Sequence, residues 1–84
     1  MKAGKEKKVV IYSQPGCPPC DWVKAYLTER GVPFITKDVT LDFSAKKDLV
    51  GKYRSRTTPT VVVGNEVMIG FDPDRLEEML AKEK

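Results

Sequence analysis

The chain has two cysteines, and they stand three apart as Cys17-Pro18-Pro19-Cys20. Before them lies an apolar run, Val9-Val10-Ile11-Tyr12, which turns through Ser13-Gln14-Pro15-Gly16. After them the pattern is helical from about Pro18. A helix N-terminus presents unpaired backbone N–H groups and a partial positive charge. A thiolate is a negative sulfur, and it is the form that attacks a disulfide. With Cys17 at the N-cap, Cys20 falls at the third helical position, one turn on. Their Cα atoms can then lie within the roughly 4.4–6.8 Å that a disulfide requires. One thiol can attack and the other can resolve.

The energetic demand on such a site is definite. Lowering a cysteine pKa from about 8.5 to about 7 takes roughly 2 kcal/mol. A helix dipole commonly gives about 0.3–1 kcal/mol, so direct N–H···S contacts must add to it. Pro18 and Pro19 have no N–H to give. The donors in reach of the Cys17 sulfur are those of Cys20 and Asp21. Proline is well tolerated at the first helical position and stiffens the turn.

Other readings of the pair are weaker. A zinc site would need a second ligand pair, and the chain has no histidine and no other cysteine. A structural disulfide remains open, but so short a loop gains little entropic stabilisation and suits a labile redox bond better.

At 84 residues the chain is expected to be one domain, residues 1–84, with residues 1–7 as a basic flexible tail. Lys2, Lys5, Lys7 and Lys8 against Glu6 account for the whole net charge of +3. A signal peptide is not indicated, because only Val9–Tyr12 follow the basic residues as an apolar segment. No run approaches the ~18 apolar residues of a membrane span. A cytoplasmic protein is expected, without a membrane or nucleic-acid partner, since no aromatic interleaving or motif accompanies the basic tail.

The element order follows from periodicity and turn residues. Val9–Tyr12 reads as a buried strand. The helix from Pro18 carries Val23, Tyr26, Leu27 and Arg30 at helical spacing and stops at Gly31 with Pro33 beyond. Phe34–Val39 is a second strand, parallel to the first through a right-handed crossover. Asp42 is expected to cap a second helix with Phe43, Leu49, Val50 and Tyr53 on its apolar face. Thr60-Val61-Val62-Val63 follows Thr57-Thr58-Pro59 as a third strand, and Gly64-Asn65 turns it into Glu66–Ile69. Asp72 and Pro73 open a last helix with Leu76, Met79 and Leu80 inward. Trp22 reads equally as a shield for the sulfurs or partner contact and as an aromatic on a neighbouring loop. Lys24, one turn past Cys20, reads as an exposed lysine more readily than as a thiolate partner.

The motif Tyr12-Ser13-Gln14-Pro15-Gly16-Cys17-Pro18-Pro19-Cys20, the Thr58-Pro59 pair and the segment Gly70-Phe71-Asp72-Pro73-Asp74 resemble the glutaredoxin family of the thioredoxin superfamily. The match spans about Lys8 to Leu80. The resemblance implies an α/β fold of the thioredoxin-like (glutaredoxin) type, order β-α-β-α-β-β-α, a four-stranded mixed sheet with helices on both faces. It implies a thiol–disulfide oxidoreductase in which Cys17 is the nucleophile and Cys20 the resolving thiol. The implied substrate-binding residues are Tyr12, Pro18, Pro19, Thr58, Pro59, Gly70, Phe71 and Asp72. Pro59 would be the family's cis proline, turning the Thr58 backbone toward an extended substrate; from the residues alone a trans proline capping the strand stays open. No bound cofactor or metal is implied beyond the redox disulfide, and a monomer is expected. Implied substrates are protein disulfides, ribonucleotide reductase among them.

Members of this family differ in electron donor. Glutathione-dependent members usually place an aromatic residue before the second cysteine, where this chain has Pro19. They also tend to carry a Gly-Gly-x-Asp segment, and here Phe71 replaces the second glycine. The Gly-Phe-x-Pro-Asp pattern is similar to redoxins that serve ribonucleotide reductase and draw electrons from thioredoxin reductase. Glutathione stays open as co-substrate, because Lys52, Arg54 and Arg56 just before Thr57 could receive its glycine carboxylate or an acidic partner surface. A further class, an iron–sulfur dimer with Cys17 donated by each of two subunits, is disfavoured by the stiff proline pair.

Overall fold

A computed structural model describes residues 9–82. The basic tail expected over residues 1–7 lies outside the described residues. Four strands and three helices appear in the expected order: β1 Val9–Ser13, α1 Pro18–Glu29, β2 Ile35–Asp38, α2 Phe43–Lys47 continuing into a π-helical turn Asp48–Lys52, β3 Thr60–Val63, β4 Glu66–Ile69 and α3 Pro73–Lys82. The sheet order is β2-β1-β3-β4. β1 runs parallel to β2 and antiparallel to β3, and β3 is antiparallel to β4. The result is the mixed sheet of a thioredoxin-like fold.

Side-chain alternation along β1 and β3 divides the core into two layers. Val9 and Ile11, with Val61, Val63 and Met68, face Val23 and Leu27 of α1 and Leu76 and Met79 of α3. Tyr12 and Val62 face the other way, against Val39 and against Ala45 and Leu49 from α2 and its π turn. The central strands are covered on both faces, so β3 reads as an unbroken β-branched run.

Helix ends are set by named residues. At the C-terminus of α1, Gly31 takes φ +69, and its N–H and that of Val32 bond the Thr28 and Leu27 carbonyls at 3.1 and 3.0 Å. This is a Schellman closure, for which a residue free to adopt positive φ is needed. Asp42 caps α2 as expected, its carboxylate accepting from Ala45 N–H at 3.0 Å. Asp72 does the same for α3, accepting from Arg75 N–H at 3.3 Å.

Expectations for the second strand and the second helix are corrected. β2 is shorter than Phe34–Val39, because the chain leaves the sheet once Val39 N–H has bonded Ser13 O at 3.0 Å. The apolar face of the second helix is Ala45 and Leu49, while Phe43 is 80% exposed and Val50 39% exposed. Ala45 and Leu49 are four apart and share a face. Phe43 precedes Ala45 by two residues and so points about 200° away around the helix. Val50 adjoins Leu49 and so points about 100° away from the buried face.

Tyr12 was expected at the substrate surface. It is instead a core residue, 3% exposed, with its ring 5.7 Å from that of Tyr53. Burial, reinforced by Tyr53 and the Asp48 carboxylate, pushes its hydroxyl up to about 12. The folded state therefore keeps this proton after the unfolded chain has lost it near the usual value of about 10. Stability from this group is full below about pH 10 and is lost as pH rises toward about 12. Tyr12→Phe should flatten the fall in denaturant midpoint over that interval, with Tyr26, also raised by burial, retaining part of it. An unchanged alkaline profile in Tyr12→Phe would contradict this assignment.

Candidate active site

The first strand delivers the chain to the cysteines through Gly16, which takes φ +72 at the turn. Cys17 is the N-cap of α1, with extended backbone at φ −120 and ψ 91. Pro18 and Pro19 occupy the first two helical positions. Cys20 N–H points back at Cys17, 3.3 Å from its Sγ and 3.0 Å from its carbonyl oxygen. Asp21 N–H goes to the Cys17 carbonyl at 3.3 Å. Of the two donors anticipated for the sulfur, only that of Cys20 reaches it. The two cysteines form a disulfide across a Cα–Cα separation of 5.3 Å. Cys20 is 1% exposed, whereas Cys17 is only partly covered. An incoming group therefore meets Cys17 first.

The second wall is the loop before β3. Thr58–Pro59 is a cis peptide bond, as the family resemblance implied. Thr58 Oγ1 lies 3.6 Å from Cys17 Sγ and donates to it. This side-chain donor was not anticipated; only the Thr58 backbone was. That backbone's N–H and carbonyl make no hydrogen bond among the described residues. They are the free edge that an extended peptide can pair with.

A buried polar network holds this loop. Thr60 Oγ1 donates to Thr57 O at 2.7 Å, Ser55 Oγ and Thr60 Oγ1 are 2.8 Å apart, and Thr57 N–H donates to Ser55 Oγ at 3.3 Å. Ser55 and Thr60 are 2% and 0% exposed. Sequence reasoning missed both as positioning residues. The available signal was Thr60, one hydroxyl at the head of an otherwise apolar strand. Arg54 enters the same loop in left-handed conformation, φ 55, turning the chain out of the π turn so that Ser55 N–H bonds Leu49 O at 2.9 Å.

The third wall is Gly70-Phe71-Asp72. Gly70 N–H donates to Pro59 O at 2.8 Å, which fixes the segment beside the cis proline. Phe71 is half-buried, edge-on to Tyr26 at 5.9 Å and tilted against Trp22 at 6.5 Å. Trp22 thus packs on this loop and stays 57% exposed. Asp72 caps α3 through Arg75 N–H, and Pro73 beside it has no N–H to offer.

The basic residues divide. Arg56 lines a cavity of about 320 Å³ together with Thr58, Gln14 and Lys46. Lys52 lies over the Tyr53 ring at 5.4 Å, and Arg54 does not line the cavity. Lys24 acts on Asp38, whose carboxyl is held below its usual range chiefly by the Thr40 hydroxyl and N–H. Among the described residues no group of three or more His, Cys, Asp or Glu side chains could hold a metal ion, and no helix is long and apolar enough to cross a membrane.

The glutaredoxin family model matches residues 9–68, from β1 into β4 and across the cysteine pair and the cis-proline loop. The chain belongs to the glutaredoxin family. It is a thiol–disulfide oxidoreductase. The Gene 56 protein of Mycobacterium phage L5 is 34% identical over 73 residues, covering 86% of this chain and 71% of the phage protein. A crystal structure of a thioredoxin-like protein superposes with a TM-score of 0.83 at 40% identity, covering 86% of this chain and 99% of the other. The glutaredoxin-like NrdH-redoxin of Escherichia coli, described as having a thioredoxin-like activity profile, superposes with a TM-score of 0.78 at 27% identity, covering 84% and 92%.

In this glutaredoxin the Thr58 hydroxyl gives the Cys17 sulfur its one side-chain hydrogen bond among the described residues. A hydrogen bond to a charged acceptor is worth about 1.5–3 kcal/mol, or about one to two pH units. Thr58→Val should raise the thiolate titration of Cys17 in the reduced protein by about one unit, read from thiolate ultraviolet absorbance. An unshifted titration would show that the hydroxyl does not serve the thiolate.

Proposed function

We propose that the protein is a dithiol reductant of protein disulfides in which Cys17 attacks and Cys20 resolves. The Cys17 thiolate attacks one sulfur of a substrate disulfide, forming a Cys17–substrate disulfide and releasing the other substrate sulfur as a thiolate. The Cys20 thiolate then attacks Cys17 Sγ, closing the Cys17–Cys20 disulfide and releasing the second substrate thiolate. Both released thiolates take protons from water. Two electrons have moved, and a donor must return two to reopen the pair. The attack is fastest when the attacking thiol titrates near ambient pH, since thiolate fraction and nucleophilicity oppose each other.

The observation that carries this reading is the asymmetry of the pair. Cys17 is reachable and receives both Cys20 N–H and the Thr58 hydroxyl, whereas Cys20 is sealed under the helix. Substrate would lie along Thr58 and Pro59, with Pro18, Pro19, Gly70 and Phe71 as the surrounding contact surface.

The donor we favour is thioredoxin reductase over glutathione. Phe71 fills the approach where glutathione-dependent relatives have glycine, and Asp72 is engaged at Arg75 N–H. The 27% identity to a redoxin with a thioredoxin-like activity profile supports the same choice.

Two experiments check these assignments together. Cys17→Ser should abolish disulfide reduction, and Cys20→Ser should accumulate mixed disulfides; substantial activity in Cys17→Ser would reverse the roles. With the parent protein and insulin, NADPH should be consumed with thioredoxin reductase present. Turnover with glutathione and its reductase alone would make glutathione the donor and overturn the reading of Phe71 and Asp72.

A further inference from the structure

The cavity beside Thr58 does not end at the active site. It shares Lys46 and Val50 as walls with a second, shallower hollow of about 550 Å³, lined also by Phe43, Lys47 and Gly51. The two hollows adjoin at these shared walls, and the pair, the trough, reaches from Thr58, the neighbour of the reactive sulfur, to Phe43 at the N-terminus of α2. Its far end is apolar, and Phe43 there is 80% exposed. A phenylalanine so exposed lies outside the core, and clustered exposed apolar groups beside a working site mark recognition surfaces.

The charge around the trough is one-sided. Between residues 42 and 58 stand Lys46, Lys47, Lys52, Arg54 and Arg56 against Asp42 and Asp48, a net of +3 within a chain whose other described segments carry no such excess. Asp42 is engaged as the cap of α2. Lys46, Lys47 and Arg56 form no ion pair among the described residues. By contrast, the cations near α3 are paired, Arg75 with Glu66 and Glu78, and Arg30 with Glu77. Unpaired cations around an exposed aromatic suit an anionic partner with an apolar side chain of its own.

We infer that this trough selects disulfides lying in acidic peptide segments that carry an aromatic or aliphatic residue near the cysteine. The segment pairs with the Thr58 backbone at the sulfur, sets its carboxylates against Arg56, Lys46 and Lys47, and lays its apolar residue over Val50 and Phe43. The inference rests on the dithiol-reductase reading above and names the substrate class that reading leaves open.

The test uses the full chain, reduced, and follows its oxidation through the fluorescence of its single tryptophan, Trp22, beside the site. Three disulfide-linked synthetic peptide dimers of equal length serve as oxidants. Their cysteines are flanked by Asp/Glu and Phe, by Lys and Phe, or by Asp/Glu and Ser. Three surface charges, each favouring the acidic over the basic dimer by roughly twofold, predict that the acidic–Phe dimer reacts about eightfold faster than the Lys–Phe dimer at low salt. The advantage should shrink in high salt as screening sets in. The acidic–Ser dimer should be several-fold slower than acidic–Phe. Lys46→Glu should lower the acidic-to-basic ratio. Gly51→Glu should do so too, and it is a safe second variant, because a Cβ there meets nothing within 4 Å and the glycine does not hold positive φ. Equal rates for acidic and basic dimers, or ratios unmoved by both variants, would overturn the trough proposal while leaving the reductase intact. Failure of every dimer to oxidise the protein would remove the reductase reading and the proposal with it.

Discussion

One backbone N–H, that of Cys20, governs the site. It points at both the carbonyl oxygen and the Sγ of Cys17, so closing the first turn of α1 and solvating the sulfur are the same act. The two prolines sharpen this. With no N–H of their own at the first two helical positions, they leave the Cys20 donor as the nearest one and fix the turn that aims it. The rest of the fold can be read as what holds that turn in place. β1 feeds it through Gly16, Val23 and Leu27 anchor α1 on the sheet, and the cis-proline loop brings the Thr58 hydroxyl to the sulfur's other side.

The loop is the less obvious half. Its geometry depends on Ser55, Thr57 and Thr60, whose hydrogen bonds centre on a buried pair of hydroxyls and leave the Thr58 backbone unpaired among the described residues. Burying hydroxyls is costly unless they are satisfied, and a satisfied cluster then fixes one arrangement. Gly70 N–H ties the same loop to the segment before α3. Two stretches distant in sequence thus meet at one sulfur, and a third is tied to the second by a single bond. Phe71 shows how little is needed to change the partner: one aromatic, supported by Tyr26 and Trp22, occupies space that a second glycine would have left open.

Much of this was legible in the residues. Cys17 as N-cap and Cys20 at the third helical position followed from spacing and the proline pair, and Gly31, Asp42 and Gly64-Asn65 ended or began elements where turn chemistry requires. What failed did so for physical reasons. The family resemblance placed Tyr12 at the site as the first residue of the motif, yet alternation in β1 sends it into the opposite layer of the core. Phe43 and Val50 were counted as core because they are apolar, but Phe43 lies two residues from Ala45 and Val50 one from Leu49, so neither shares the face that Ala45 and Leu49 bury. The Thr58 hydroxyl reaches Cys17 across 41 residues of chain, which no local pattern announces, whereas the Ser55–Thr60 pair is local and had only the lone hydroxyl of Thr60 as its signal.

The measurement that tests the account most directly is the pH dependence of alkylation of the reduced protein, with the modified cysteine located by mass spectrometry. Donors converge on Cys17 and Cys20 is sealed, so Cys17 should be modified first and its rate should titrate below the ordinary cysteine value of about 8.5. Modification of Cys20 ahead of Cys17, or a Cys17 rate that titrates at the ordinary value, would contradict the claim that the helix N-terminus and Thr58 build a thiolate site.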